Sequence, residues 1–371
     1  MHEHTHTIDQ LPIDEIKKIA CHFFDPTQAK AMTATPAEAG LSGSQTYILE
    51  NLQTGCKHVL KQLPNDLSVE QVLWTQTLAG FAHSNGNTLL PVALDHRERN
   101  SKVLDTHSKI AVHYDGTMWQ CLVYIEGLPC KTPHPHQISL ATAALADFHQ
   151  KSSLFRMTPS RTLSGWHRRV LQLRTLLVSL RSPRVNNAII GASLTELHVL
   201  CTKFFQFLRS PETTAIIEHA LSYTMPDVHQ PVLRDCHWNH VLFSESNDRV
   251  TGIIDIDAAG RDDPAVDISR LLGSWQLEYP QSEEWLVDLW PDAFKQYQSS
   301  AHAGPDFPTR VQILHDTAIL CGIDRWFTWL FKESRYFANM KQVSQRITLL
   351  LNAAPAAIRR LEHLPARSDS N

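Results

Sequence analysis

The sequence lacks the features that mark membrane-spanning, secreted and nucleic-acid-binding proteins. It has no apolar run of about 18 residues, the length at which a membrane-spanning helix is inferred. Lysine and arginine number 34 against 38 acidic residues, and no dense basic run offers a surface for phosphate backbones. The first ten residues are polar and lack the apolar centre of a secretory signal. These absences predict a cytoplasmic protein with neither a membrane nor a nucleic acid as its partner.

Cysteine is sparse, and its seven copies are scattered along the chain without a Cys-x-x-Cys pair. An odd number of widely spaced cysteines does not suit a disulfide framework or a structural zinc site. The pattern predicts reduced thiols, in agreement with a cytoplasmic location.

The most informative stretch runs from Pro231 to Asp257. Two apolar runs, Val241–Phe243 and Val250–Ile254, are separated by turn-forming residues, and this pattern predicts a β-hairpin. Asp235 precedes the first run and Asp255 follows the second. The hairpin is expected to bring both carboxylates to one edge of a sheet, where one could orient a hydroxyl and the other could hold a metal on a phosphate.

These motifs resemble the catalytic and metal-binding loops of the kinase-like small-molecule phosphotransferases. That family includes the aminoglycoside, choline, homoserine and fructosamine kinases. Asp235, His237 and the apolar pair Val241-Leu242 fit its first motif, and Gly252–Asp257 fits its second. The run Asp263-Pro264-Ala265-Val266-Asp267-Ile268 fits the motif that follows, so three motifs occur in the family's order. The resemblance covers the chain from about residue 30 to residue 335.

The resemblance implies an α+β, two-lobe protein-kinase-like fold. Its N-terminal lobe would be an antiparallel sheet with an αC helix, and its C-terminal lobe would be mostly helical and carry the catalytic hairpin. We expect an N-terminal extension over residues 1–30, a nucleotide-binding lobe over 31–126, a catalytic and substrate lobe over 127–364 and a flexible tail over 365–371. Hydrophobic spacing predicts an αC helix from Ser68 to Phe81, and an apolar run predicts a strand from Leu89 to Ala93.

The resemblance also implies ATP and Mg²⁺ as cofactors and assigns roles to individual residues. Asp235 would accept or orient the acceptor hydroxyl, Asp255 would hold magnesium, and His240 would take a second metal position with Asp257 adding a carboxylate. Structural support is expected from Arg234, His237 and Asp267.

Nucleotide binding is expected in the N-terminal lobe. Lys61 follows the apolar pair Val59-Leu60 and would clamp the phosphates, with Lys57 as the rival candidate. The phosphates would lie beneath a glycine-containing turn that contributes Gly40, Ser42, Gly43 and Ser44. Tyr124 and Ile125 occupy the position of the hinge that meets adenine. Glu70 would pair with Lys61, although a glutamate in the first turn also stabilises a helix N-terminus without any such pairing.

Two departures from the family pattern leave an alternative open. The family's first histidine is Leu233 here, and its metal-binding asparagine is His240, whereas magnesium prefers oxygen ligands. The alternative is a kinase-fold nucleotide-binding module with weak or no transfer activity. A third interpretation is a metal hydrolase or glycosidase whose metal ligands come from Asp235-Cys236-His237 and His240. It gives no role to Lys61 or to the Asp-Pro-x-x-Asp run.

The predicted function is therefore the transfer of the γ-phosphate of ATP to a hydroxyl of a small molecule such as an amino sugar or an amino alcohol. The partner is that small-molecule substrate, and the protein is expected to be a monomer or a homodimer. Acidic and aromatic side chains both occur in the helical half, so the sequence leaves the acceptor, and the choice between ATP and GTP, open.

Overall fold

A computed structural model describes residues 11–37, 44–96, 110–158, 163–181, 195–225, 229–278, 289–301, 303–333, 335, 337 and 339–364. The chain forms two compact units. The first unit contains the described residues of Met1–Cys130, Lys151–Thr162 and His240–Gly260, and the second contains those of Lys131–Gln150, Leu163–Asn239 and Arg261–Asn371. The hairpin that follows His240 thus packs with the N-terminal part of the chain.

The helices are, in chain order, α1 (Ile13–Ala20), α2 (Pro26–Ala31), α3 (Val69–Ser84), α4 (Pro135–Ser152), α5 (Gly165–Arg181), α6 (Thr195–Leu208), α7 (Pro211–Leu221), α8 (Ala265–Glu278), α9 (Trp290–Ser300), α10 (Phe307–Phe327) and α11 (Met340–Glu362). The strands are β1 (Met32–Pro36), β2 (Thr46–Asn51), β3 (Lys57–Gln62), β4 (Val112–Tyr114), β5 (Thr117–Val123), β6 (Leu128–Pro129), β7 (Gln230–Val232), β8 (Val241–Phe243), β9 (Val250–Ile253) and β10 (Gly260–Asp262). A 3₁₀ turn spans Trp238–His240, and a π-helical turn spans Thr328–Lys332.

The first unit is built on an antiparallel sheet with the strand order β1-β2-β3-β5-β4. Successive side chains of a strand lie on opposite faces of its sheet. Leu60 is fully buried in a core that also contains Ile19 and Leu49. Lys61, the next residue of β3, therefore lies on the face opposite that core.

Helix α3 of the first unit begins where the sequence predicts a helix. The Ser68 hydroxyl accepts a hydrogen bond from the Gln71 backbone N–H at 3.2 Å, which satisfies one of the amides that a helix N-terminus leaves without a partner. The buried Gln71 side chain donates to the Ala259 carbonyl at 2.8 Å. Helix α3 is thereby joined to the residues that follow β9.

The hairpin predicted from the sequence is present, with β8 antiparallel to β9 and β6 paired to the other side of β8. Ile254 N–H donates to the His240 carbonyl at 2.8 Å, so pairing continues past the last residue of β9. Gly252 has no room for a side chain, because a methyl group built there would overlap Ile125. The hairpin is therefore fixed against residues 124–127.

The strand predicted at Leu89–Ala93 is wrong. This segment makes one isolated bridge, between Ala93 and Leu122. Pro91 has no backbone N–H, which weakens a ladder at this point. The Leu89 carbonyl instead accepts a hydrogen bond from Ile253 N–H at 2.8 Å. An apolar run alone was an insufficient guide here.

The second unit is mostly helical, and its helix α10 packs against α5, α8 and α11. The large side chains of Trp275, Tyr297 and Phe307 are fully buried within it. Strand β7 pairs with β10. Over the described ranges, no helix combines the length and the apolar character that a bilayer crossing needs.

Candidate active site

Lys61 lies between two carboxylates in the first unit. Its ammonium nitrogen is 2.5 Å from Asp255 Oδ1 and 2.7 Å from Asp257 Oδ2. The Lys61 side chain is only 15% exposed, while the Asp255 side chain is 45% exposed and therefore reaches solvent. Hydrogen bonds between charged partners are short and strong, and these two fix the ammonium with respect to both acids.

The charge of Lys61 is secured by the same two acids. Burial lowers the pKa of this ammonium, but the negative charges of Asp257 and Asp255 outweigh burial, and the pKa lies above its ordinary value. Lys61 is therefore a permanent cation over the physiological pH range.

Backbone geometry sets the position of Asp255. Its φ angle is +58°, in the left-handed region that residues other than glycine seldom adopt. Such conformations concentrate at functional sites, where the surrounding structure maintains them. Asp255 is the second residue after β9, and the Ala259 carbonyl downstream accepts a hydrogen bond from Gln71. The turn that carries both acids is thus tied at each end.

We call Asp255 and Asp257, together with the bound Lys61, the acidic cluster, and next to it lies His240. Its Nε2 atom lies 3.5 Å from Asp255 Oδ2. The residue ends the 3₁₀ turn and precedes β8, which positions its ring beside the turn after β9. Four of the predicted site residues, Lys61, His240, Asp255 and Asp257, therefore come together in the first unit.

Asp235 lies in the second unit, where it is bound by an arginine that the sequence analysis missed. Asp235 Oδ1 accepts a hydrogen bond from Arg270 Nε at 2.9 Å and forms an ion pair with Arg270 Nη2 at 2.8 Å. The Asp235 side chain is 43% exposed. Arg270 lies three residues after Asp267 on α8, one helical turn further on, and that spacing was the available signal.

Asp267 supports the backbone that leads into Asp235. Its fully buried carboxylate accepts hydrogen bonds from the backbone N–H groups of Leu233 at 2.7 Å and Arg234 at 2.6 Å. It also accepts one from His149 Nε2 at 3.0 Å. Arg234 needs this support because its φ is +64°, a strained value for a side-chain-bearing residue.

The other members of this loop have distinct environments. The Arg234 guanidinium is buried and donates to the Arg261 carbonyl at 2.9 Å. His237 Nδ1 lies 2.7 Å from Asn239 Oδ1. Leu233, which stands where the related kinases have histidine, is buried as an apolar core residue.

Residues 33–303 match the sequence profile of the phosphotransferase enzyme family (APH). The chain belongs to this family. No curated protein sequence matches the chain.

Solved structures similar to this phosphotransferase-family chain share its fold at low sequence identity. Amicoumacin kinase hAmiN, solved with AMP-PNP, Ca²⁺ and Ami, has a TM-score of 0.62 at 13% identity, with 94% of each chain covered. A microcompartment-associated aminopropanol kinase has a TM-score of 0.62 at 12% identity, covering 95% of this chain and 99% of its own. An aminoglycoside phosphotransferase from Alicyclobacillus acidocaldarius has a TM-score of 0.54 at 14% identity, covering 96% and 97%. The predicted kinase-like α+β fold is confirmed.

The acidic residues of this phosphotransferase-family chain suit magnesium in their donor chemistry. Mg²⁺ is usually held by one or two carboxylates, with phosphate and water oxygens completing its shell. Asp255 and Asp257 supply two such carboxylates, and both contact the Lys61 ammonium. Among the described residues, no group of three or more histidine, cysteine or acidic side chains is arranged to hold a metal. His240 fits a magnesium shell less well than the asparagine of related kinases, because its donor is nitrogen.

The predicted pairing of Lys61 with Glu70 is wrong. Lys61 is bound by Asp255 and Asp257 instead, whereas Glu70 is exposed in the first turn of α3. A hydrogen bond with the backbone of Glu70 itself lowers the pKa of its carboxyl group most, and a hydrogen bond with the Ser68 hydroxyl lowers it further. Glu70 therefore stabilises the helix N-terminus.

The structure describes only some of the remaining predicted nucleotide contacts. Gly40, Ser42 and Gly43 fall outside the described residues, while Ser44 lies just before β2. Tyr124 and Ile125 follow β5. The Lys57 ammonium lies 5.6 Å from the centre of the Tyr124 ring, and Ile125 packs against Gly252 of the hairpin.

Proposed function

We propose that the protein is an ATP-dependent phosphotransferase that moves the γ-phosphate to a hydroxyl of a small molecule. The observation that carries this proposal is the position of Lys61 between Asp255 and Asp257 in a chain of the phosphotransferase enzyme family. An ammonium beside two carboxylates provides both charge types that a magnesium–triphosphate complex requires. The similar amicoumacin kinase, whose structure is a complex with AMP-PNP and Ca²⁺, supports the same class of donor.

In the proposed reaction, Asp235 orients the acceptor hydroxyl and accepts its proton. The hydroxyl oxygen forms a bond to the γ-phosphorus, the bond from that phosphorus to the β–γ bridging oxygen breaks, and ADP leaves with the bond's electron pair. Lys61 would bind phosphate oxygens, and Asp255 and Asp257 would hold magnesium. Magnesium, when bound, neutralises charge on the phosphates. Most of the catalytic effect comes from alignment and charge.

A second candidate function is nucleotide binding with weak or no transfer. It is favoured by His240, whose imidazole lies 3.5 Å from Asp255 Oδ2 where related kinases have an asparagine amide. In such a module the protein would bind nucleotide through Lys61 and Asp255, and ADP formation would not respond to an acceptor.

Nucleotide binding can be tested by measuring the thermal transition with ATP or GTP, with and without magnesium. Ligands that bind only the folded state raise its transition temperature. We expect a magnesium-dependent rise in the wild type, and we expect Asp255→Asn to abolish it. Asp66→Asn, which alters an exposed acid outside the acidic cluster, should keep the full rise. A wild-type transition that does not move with either nucleotide would refute both candidate functions.

Transfer can be tested separately with Asp235→Asn. We expect ADP formation to fall about 100-fold or more, because loss of a general base typically costs 10²–10⁴ in rate. The nucleotide-dependent rise in transition temperature should survive. Wild-type rates in the Asp235→Asn variant would show that Asp235 is not the base.

A further inference from the structure

Asp235 is accompanied by several cations in the second unit. We call Arg270, Arg346 and Lys131 the cation cluster. Arg270 binds Asp235 directly, whereas Arg346 Nη1 lies 3.6 Å and Lys131 Nζ lies 3.2 Å from the Glu278 carboxylate. The cation cluster therefore extends from Asp235, the proposed base, to Glu278, the last residue of α8.

The charges of this group do not balance. Among the residues that the structure describes, the ion pairs of these three cations involve two carboxylates, Asp235 and Glu278, so the pairs hold one more positive than negative charge. In the proposed reaction, Asp235 binds the acceptor hydroxyl and takes up its proton. The carboxylate then loses its negative charge, and the positive excess of the group increases.

Arg346 is the least solvated member of the cluster. Its side chain is 17% exposed, and its separation of 3.6 Å from Glu278 exceeds that of a close ion pair. Burial lowers the pKa of Arg346 to about 10, with a further contribution from the charge of Arg270. Arg346 lies beside Glu278 at the end of α8, and Arg270 on the same helix binds Asp235, so an anion bound at the cation cluster would be attracted by both guanidinium groups.

We propose that Arg346 and Arg270 recognise an anionic group on the acceptor, either a carboxylate or a phosphate. This inference rests on the proposed function, because it takes the acceptor hydroxyl to lie at Asp235. A guanidinium matches the geometry of both anions through paired N–H donors. Since Arg270 reaches Asp235 itself, the anion and the reacting hydroxyl belong to one small molecule.

The same cluster discriminates against cationic acceptors. A polycationic amino sugar would bring like charge to Arg270 and Arg346, and like-charge contacts are a common means of rejecting wrong partners. An anion that binds Arg270 would also compete with Asp235 Oδ1 for its N–H groups. That oxygen then becomes available to the hydroxyl, so binding of the correct acceptor prepares the base.

The test uses acceptor probes that differ in one charged group. Glycerate and glycerol 3-phosphate are each compared with glycerol, and serine is compared with ethanolamine. ADP formation is measured with MgATP for each probe. We expect an anionic probe to give a kcat/KM at least about tenfold above its matched partner, the factor lost with one charge-assisted hydrogen bond. Whichever of glycerate and glycerol 3-phosphate reacts faster identifies carboxylate or phosphate as the recognised group.

Variants assign the effect to the cluster. Arg346→Met should raise KM for the anionic probe about tenfold or more with little change in kcat, and Arg346→Lys should restore part of the loss. KM for the uncharged partner should not move. Lys295→Gln, an exposed change on α9, serves as the matched control and should behave as the wild type. An unaltered magnesium–ATP thermal shift shows that each variant is folded.

Faster turnover of glycerol or ethanolamine than of their anionic partners would overturn the proposal, as would an unchanged KM in Arg346→Met. If nucleotide binds but no probe of any charge stimulates ADP formation, the proposed transfer fails, and the anion site is judged by the thermal transition alone. A rise with glycerate or glycerol 3-phosphate that is lost in Arg346→Met would then support the site. The absence of any rise would overturn it.

Discussion

The carboxylate of Asp267 is buried against the loop that carries Asp235. It accepts hydrogen bonds from the backbone of Leu233 and Arg234 and from the His149 ring. Both backbone amides precede Asp235 directly. The position of the proposed base therefore depends on an acid that contacts no substrate in the proposed reaction.

Asp267→Asn should lower the free energy of unfolding by about 2 kcal/mol or more, since an amide supplies fewer acceptors and leaves buried donors unsatisfied. Urea denaturation measures this difference. The exposed Asp292→Asn on α9 is the control and should change stability by less than about 0.5 kcal/mol. Equal stability of Asp267→Asn and the wild type would mean that these hydrogen bonds contribute little.

Individual residues of the site were predictable to different degrees. Lys61 and Asp255 could be selected as candidates because each adjoins an apolar run that predicts a strand, and each carries a charge that suits phosphate or metal binding. Arg270 could not be assigned, because its bond to Asp235 joins residues 35 positions apart and depends on which side of α8 faces the loop. Glu70 was misassigned because the sequence cannot distinguish a helix-stabilising glutamate from an ion-pair partner.

Helix α8 illustrates how closely neighbouring elements of the second unit pack. Gly273 lies on α8 opposite the His315 ring of α10, and a methyl group built at Gly273 would overlap that ring. The approach of the two helices is therefore set by the absence of a side chain at one position.

Gly273→Ala should destabilise the protein by about 1–3 kcal/mol, the usual cost of overpacking a core. Gly80→Ala on α3 provides the contrast, because a methyl group there meets no atom within 4 Å. That change should stabilise the protein by about 0.5–1 kcal/mol through helix propensity. Both values can be read from urea denaturation, and a stabilised Gly273→Ala variant would show that the helices separate without cost.

Elements with strong periodicity or a turn signal were predictable. The hairpin of β8 and β9 and the capped helix α3 follow from local sequence alone. The segment at Leu89–Ala93 was not predictable in the same way, because its hydrogen bonds are divided between Ile253 and β5, both distant in sequence. Long-range partners decide whether a short apolar run becomes a strand.

Acid stability of the whole protein should depend on His315. This ring is buried, and among the described residues its Nε2 has no hydrogen-bond partner. Burial holds the pKa of His315 well below its ordinary value, with the charges of Arg360 and Arg169 contributing in the same direction. Below about pH 6.5, the His315 ring is therefore protonated in the unfolded chain but remains neutral in the folded protein.

Stability should fall as the pH decreases below about 6.5, by up to about 1.4 kcal/mol per pH unit from this one group. Asp316 acts in the opposite sense, because burial raises its pKa to about 6 and favours the folded state at lower pH. The contribution of His315 is therefore isolated by comparing two proteins. The free energy of unfolding in urea is measured from about pH 7.5 to about pH 5 for the wild type and for His315→Phe. The variant should lose less stability on acidification, and the exposed His136→Gln should not differ from the wild type. Parallel pH curves for His315→Phe and the wild type would contradict the assignment.

The passage of the chain back and forth between its units sets an order for their completion on the ribosome. Asp255 lies 194 positions after Lys61, and the first unit receives its last segment only with residue 260 of 371. The second unit draws on residues as far as the C-terminal helix α11. A polypeptide released by premature termination before residue 255 would lack both carboxylates that bind Lys61, and it would leave the ribosome with neither unit complete.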